Sequence, residues 1–436
     1  MSLYWCERAL LPSGVADSVL VEVSDGRFAS VTPGAAAGAA ERLAGLTIPG
    51  LANCHSHAFH RALRGRTQRE RGTFWTWREQ MYAVASRLTP DSYHALARAV
   101  YGEMALAGIS CVGEFHYLHH GPGGTPYAEP NAMGEALVAA ARDAGLRITL
   151  LDTCYLAGGI GQPPGDVQQR FSDGSADAWA ARVVALKGDD DVVVGAAAHS
   201  VRGVPRDQLP TVAEALPDAP LHVHLSEQVA ENEICRAAYG RTPAQLLDEA
   251  GFLTGRTSAV HATHLTGVDI GLLGSSATYA CFCPTTERDL ADGIGPSAAL
   301  RDAGSPLTLG SDSHAVIDLF EEMRAVELDE RLATQRRGTW SSAELLAAAT
   351  ANGHRSLGFP DAGRIEPGAR ADLVTIRLDS VRTAGTGATA ETAVFAATAA
   401  DVTSAITDGR QIVAEGKHVA LDVPADLTAV IQELTP

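Results

Sequence analysis

IPGLANCHSH (residues 48–57) is an apolar run that closes on two histidines, and it opens the series that decides the fold. SCVGEFHYLH (110–119), RITLLDTCYL (147–156), VVVGAAAHSV (192–201) and LHVHLSE (221–227) follow. TSAVHATHL (257–265), ATYACFCP (277–284) and PLTLGSDSH (306–314) complete it. Each is short and rich in apolar or β-branched residues, as a strand buried on both faces must be. Between them lie longer helical stretches such as PDSYHALARAVYGEMALAG, NAMGEALVAAARDAG and TPAQLLDEAG, each ending at a glycine able to cap a helix. Eight parallel-type strands separated by helices predict an α/β fold, a closed (β/α)₈ TIM-type barrel over residues 48–362. An open doubly wound sheet is the alternative, but it rarely needs eight such units.

The chain ends read differently. Residues 1–47 alternate short strands with turns (SVLVEVSDGRFASVTPG), and residues 363–436 do so through GRIEPGARADLVTIRLD and SAITDGRQIVAEGKHV. Neither end is expected to close a core alone, so both are predicted to meet in one small β-sandwich beside the barrel. The runs 158–166 and 382–400, rich in Gly with Pro or Thr and Ala, read as loops.

The composition, 436 residues with 46% hydrophobic and 20% charged, suits a large barrel plus a smaller soluble domain. Net charge is −18, which counts against a nucleic acid or an anionic membrane as partner. The apolar stretches are Ala-rich and broken by charge, and the start lacks the pattern of a secretory signal. Seven scattered cysteines without a CxxC pair fit reduced thiols, so a cytoplasmic location is expected.

Polar residues collect where the strands end, the rim on which barrel enzymes carry their active sites. His55 and His57, two apart on an extended chain, project to one side. His224 ends the fifth strand, His261 lies on the sixth and Asp312 ends the eighth, so all five are expected to converge over the mouth. Three imidazoles and a carboxylate suit one Zn²⁺ or Fe²⁺ better than Mg²⁺. Glu227, three residues past His224, is placed to carry a proton between an attacking water and a leaving group. His261 can hydrogen-bond that water or the substrate. His222 and His264 compete for the same roles, the first deeper on the face of His224 and the second at a strand end.

PGLANCHSH, HVHLSE, VHATHL and LGSDSH, with the closing ADLVTI, resemble the aminohydrolase branch of the amidohydrolase superfamily over nearly the whole chain. HSHAFHRALRG, FWTWREQMY and GEFHYLHH narrow the resemblance to the formimidoylglutamate deiminase family of histidine breakdown. It implies hydrolysis of N-formimidoyl-L-glutamate to N-formyl-L-glutamate and ammonia, and a homodimer. It implies zinc ligands at His55, His57, His224 and Asp312, and catalytic roles for Glu227, His261 and Asp312. Substrate contacts carry over to Arg78, Tyr117, His199 and Arg202; His60, also placed among them, stands where such relatives carry Gln. No lysine on the fourth strand suggests a carboxylated bridge, in keeping with a single ion.

HRALRGRTQRERGTFWTWR (60–78) carries six arginines and one acid, an anomaly in so acidic a chain. As a loop over the mouth it suits a small acidic amidine, with Arg202 as a second fork. Trp75 and Trp77 read as packing residues, and Cys54, Cys111 and Cys281 as small buried ones. The same rim would also serve a purine or triazine aminohydrolase, or an N-acyl amino acid hydrolase. A non-catalytic metal-binding barrel is a third reading; Glu227, His261 and Asp312 count against it, because binding alone needs no proton shuttle.

Overall fold

Four strands come first in the computed structural model, Ser2–Leu11 (β1), Gly14–Ser24 (β2), Arg27–Thr32 (β3) and Glu41–Pro49 (β4). The eight apolar runs follow as Leu51–Ser56 (β5), Ile109–His116 (β6), Arg147–Cys154 (β7), Val192–Ala198 (β8), Leu221–Leu225 (β9), Thr257–His261 (β10), Tyr279–Phe282 (β11) and Leu307–Leu309 (β12). The chain returns through Leu373–Ile376 (β13), Val402–Thr407 (β14), Arg410–Ala414 (β15) and Lys417–His418 (β16). The structure describes residues 2–68 and 74–435; Arg69 and Arg71 of the basic run, and the side chain of Trp75, lie outside the described residues.

β5 to β12 pair in chain order as one parallel sheet. A bridge between Ser56 and Asp312 brings the first strand against the last and all but closes the barrel. The Asp312 amide donates to the His55 carbonyl at 3.0 Å across this seam, and the His57 amide to the Asp312 carbonyl at 3.3 Å. A Cβ on Gly310 would fall 2.7 Å from that of His55, so only glycine lets the two strands approach here. Every residue of β6 and β7 is buried, so neither strand shows the alternation of a solvent-facing side.

The helices between the strands begin and end on chemistry visible in the sequence. Pro90–Leu106 starts at a capping box of Thr89 and Ser92, and Pro243–Glu249 at one of Thr242 and Gln245. Ala132–Ala144 stops at Gly145, whose φ of 76° is the left-handed cap that glycine adopts most readily.

Both chain ends share one eight-stranded mixed sheet, in the order β16-β15-β14-β13-β4-β1-β2-β3. β4 lies at its middle, parallel to β1 and antiparallel to β13. The hydroxyls of Thr47 and Thr375, 328 positions apart, meet at 2.9 Å within it. Arg147, at the start of β7, ties barrel to sheet: its buried guanidinium donates to Asp372 and, at 2.8 Å, to Asp408.

Two segments differ from expectation. Within 382–400 residues Ala390–Phe395 form a helix, because Thr389 and Thr392 cap it and Val394 is buried. The last residues of the β region form the helix Val423–Leu434, linked to the helix Pro90–Leu106 by an Arg98–Asp426 ion pair at 3.2 Å. The barrel strands also end earlier than their apolar patterns suggest. Ser226, His261, Ala262, Asp312 and His314 adopt positive φ of 50°, 68°, 48°, 41° and 58°, which takes the chain off the ladder at the rim. Among the described residues no helix is long and apolar enough to cross a membrane.

Candidate active site

His55, His57, His224 and Asp312 converge at the seam, with one ligand atom of each within 4.8 Å of the others. His57 donates its Nδ1 proton to the Phe115 carbonyl and His224 to the His199 carbonyl, both at 3.0 Å. With Nδ1 donating, each ring turns Nε2 toward the cluster. The Nε2 atoms of His224 and His55 stand 3.0 Å apart, and Asp312 Oδ1 lies 3.4 Å from His55 Nε2 and 3.3 Å from that of His57. Burial pushes His55 down to about 4 and His224 well below the ordinary imidazole range, so these rings are neutral. His57 Nε2 and Asp312 Oδ1 are both acceptors and lie 3.3 Å apart, which favours a cation between them, and this nitrogen-rich donor set fits a borderline-soft divalent ion.

Beneath the ligands, the buried Glu114 accepts from the Ser56 hydroxyl at 2.6 Å and the Ala58 amide at 2.7 Å. It therefore braces the turn on which His55 and His57 sit. His222 does not join the cluster: it is buried deeper and both ring nitrogens lack a partner. His264 also stays outside, its carbonyl taken by Asn232.

Glu227 and His261 flank the ligands. His261 Nε2 lies 3.9 Å from Glu227 Oε1 and 3.7 Å from Asp312 Oδ2, while its Nδ1 is held by Glu287 at 3.3 Å. Burial resists charging this ring, but the Glu287 hydrogen bond and the charges of Glu227 and Asp312 overcome it and raise its pKa well above the ordinary value. Glu287 went unremarked in the sequence, although it follows Cys283 by four residues and accepts the Cys283 amide at 2.9 Å. The CPTTE spacing just past β11 was the available signal.

Arg78, Tyr117, His199, Arg202 and His60 all line one cavity of about 150 Å³, together with His57, Glu227, His261 and Asp312. His60 Nε2 and the Tyr117 hydroxyl are 3.0 Å apart, and Arg78 Nε donates to the Tyr82 hydroxyl at 2.6 Å. Trp77 also reaches the cavity wall, edge-on to His60. Arg202 is more engaged than its position in the sequence suggests: Nη2 donates to Glu227 Oε2 at 3.1 Å, and Nε lies 3.8 Å from Glu231.

A parallel barrel with a histidine–aspartate cluster on its C-terminal rim defines a class, and the chain belongs to the amidohydrolase family, whose profile matches residues 46–412. Residues 1–45 match a narrower family, the N-terminal domain of formimidoylglutamate deiminase HutF. The formimidoylglutamate deiminase of Pseudomonas aeruginosa is 37% identical to this chain across 96% of either protein. The 8-oxoguanine deaminase of the same organism is 30% identical over 78% of this chain and 76% of its own length. Among solved structures, an amidohydrolase from Brucella melitensis superimposes with a TM-score of 0.93 at 32% identity, each chain covered in full.

Proposed function

We infer that this chain hydrolyses N-formimidoyl-L-glutamate to N-formyl-L-glutamate and ammonia, a step of histidine degradation. The observation that carries the reading is that metal ligands, proton carriers and two arginines open onto one cavity. Residues 48–362 would form the catalytic unit, with 1–47 and 363–436 as its composite β domain. A homodimer in the cytoplasm is part of the same reading.

His55, His57, His224 and Asp312 would hold a single ion, zinc by the chemistry of the donors, with ferrous iron fitting the same set. When bound, zinc supplies Lewis acidity that lets water ionise near neutral pH. Asp312 and His261 orient the attacking water from two sides. Glu227 takes its first proton and passes it to the imino nitrogen as the amidine carbon becomes tetrahedral. The second proton, from the new hydroxyl, reaches the same nitrogen through Glu227 as the C–N bond breaks. Ammonia leaves and the formyl C=O forms.

Arg78, with Tyr117, His199 and His60, would orient the acidic end of the substrate, and Arg202 would form a second fork beside Glu227. An arginine–carboxylate pair is charge-assisted and can be bidentate, which favours a dicarboxylate over a neutral amine.

A coupled assay for released ammonia tests this, run on N-formimidoyl-L-glutamate, an amidine without carboxylates, purines and N-acyl amino acids. Ammonia should appear fastest from N-formimidoyl-L-glutamate. A zinc-loaded protein that leaves that compound untouched, or prefers a purine, overturns the assignment.

A further inference from the structure

Glu231 has no part in the reaction described above, yet it is among the most unusual groups near the cavity. It lies in the first turn of the helix Val229–Tyr239 and is 1% exposed. Neither carboxylate oxygen is met by a side-chain hydrogen-bond donor, and the Glu227 backbone is the one polar contact that lowers its pKa alongside the ionic ones. Its nearest ion-pair partner is Arg202, 3.8 Å away through Nε, and the same guanidinium donates to Glu227 at 3.1 Å. One cation therefore stands between two carboxylates before any substrate arrives.

The reading of Arg202 as a contact to a substrate carboxylate, on which this inference rests, brings a third anion to that cation. With all three ionised, the group of four would carry a net charge of −2, offset only in part by the His261 ring 3.9 Å from Glu227, and low dielectric penalises that excess of negative charge. Neutralising one carboxylate relieves it. Glu227 is the better-supported anion, since it accepts a direct hydrogen bond. A buried carboxylate without a side-chain donor is the form that burial disfavours most.

We propose that Glu231 takes up a proton when the acidic substrate binds, releasing the Arg202 guanidinium to the substrate carboxylate. Glu231 is thus a positioning residue that acts through Arg202. The charged and titratable groups facing it are Arg202 after β8, Glu227 after β9, His261 at the end of β10 and, on its own helix, Cys235. Burial is the main influence, opposed by Arg202, reinforced by the Glu227 charge and countered by the Glu227 backbone and His261, and it pushes the Glu231 carboxyl up to about 7. The sign follows. Below that pH Glu231 is already neutral and substrate enters freely. Above it, binding must draw in a proton, and apparent affinity falls as pH rises.

The holoenzyme and the reaction product, N-formyl-L-glutamate, provide the test. Titration calorimetry in buffers of different ionisation enthalpy counts protons taken up on binding. Wild type should take up close to one proton at pH 8 and few at pH 6. Glu231→Gln, permanently neutral, should take up none and bind about tenfold more tightly than wild type at pH 8, because one unit above its pKa only about a tenth of wild type is binding-competent. A merely structural Glu231 would give weaker binding instead. Wild-type uptake near zero at pH 8 overturns the proposal without any variant. So does uptake that persists in Glu231→Gln but vanishes in Glu227→Gln. The Arg202→Met variant separates the two layers of argument: unaltered product binding there removes Arg202 from carboxylate recognition. Lost binding in Arg202→Met, with Glu231→Gln indistinguishable from wild type, removes only the role of Glu231.

Discussion

The carboxylate of Glu287 stands 3.3 Å from Nδ1 of His261 and accepts the Cys283 amide at 2.9 Å. It thereby fixes which ring nitrogen of His261 faces Glu227 and Asp312. Outer partners of this kind commonly contribute about 10- to 100-fold to activity. Glu287→Ala should lower kcat by about that factor while metal content stays near one per chain. Glu287→Gln, which retains an acceptor, should lose less. Equal kcat in wild type and Glu287→Ala would mean that the ring is held by packing alone.

Ligand and proton carrier should separate cleanly. His224→Ala removes one of two facing imidazoles, so metal analysis should find the ion lost and thermal unfolding should shift downward. Chelation of wild type should shift it similarly, since an ion present at about 1,000 times its Kd stabilises the native state by about 4 kcal/mol. Glu227→Gln should keep the ion and its unfolding temperature but lose about 10²–10⁴ in kcat, the usual worth of a general acid–base group. Full activity after the ion is stripped would contradict the metal-dependent mechanism.

The two arginines should fail differently. Charge-assisted contacts are worth roughly 1.5–3 kcal/mol, so Arg78→Met should reduce kcat/KM for N-formimidoyl-L-glutamate about 10- to 100-fold, largely through KM. Its effect on an amidine without carboxylates should be small. Arg202→Met also strips Glu227 of a hydrogen bond, so it should depress kcat on both substrates. Equal losses on the two substrates for Arg78→Met would assign that residue to the fold.

On β7, Asp152 accepts two hydrogen bonds from Arg182 and one from Trp179, all at 2.8–2.9 Å. Burial opposes its charge, but Arg182 prevails and lowers its pKa from 3.8 to about 2. A depressed carboxyl contributes stability above its unfolded pKa and loses it as pH falls through the folded one. Denaturant titrations should therefore show a contribution of about 2 kcal/mol disappearing between pH 4 and pH 2. Asp152→Asn should be less stable at neutral pH by about 3 kcal/mol, because Arg182 keeps its charge and loses a buried partner. It should also lack that part of the acid transition. A variant with the wild-type acid profile would place the titration elsewhere.

The barrel and its rim were legible because their signals are local. Each strand is a short apolar run, and His55, His57, His224 and Asp312 each sit where such a run stops. Glu287 and Glu231 were not legible, because an acid in a short helix reads as a solvated surface charge until tertiary packing buries it. The Arg202–Glu227 pair joins residues from neighbouring strand ends, which no spacing rule connects. The arrangement of the chain ends was visible only in part. Alternation identified their strands, but the pairing of β4 with β13 depends on how the barrel returns the chain.

That pairing bears on how the protein is made. Thr47 leaves the ribosome long before Thr375, its partner 328 positions later. At about 5–20 residues per second the wait is roughly 15–65 s. Throughout it β4 has its parallel neighbour β1 but an open opposite edge, and Arg147 has neither Asp372 nor Asp408. The nascent barrel therefore carries an unpaired strand edge and an unneutralised cation at its base until the final seventh of the chain emerges.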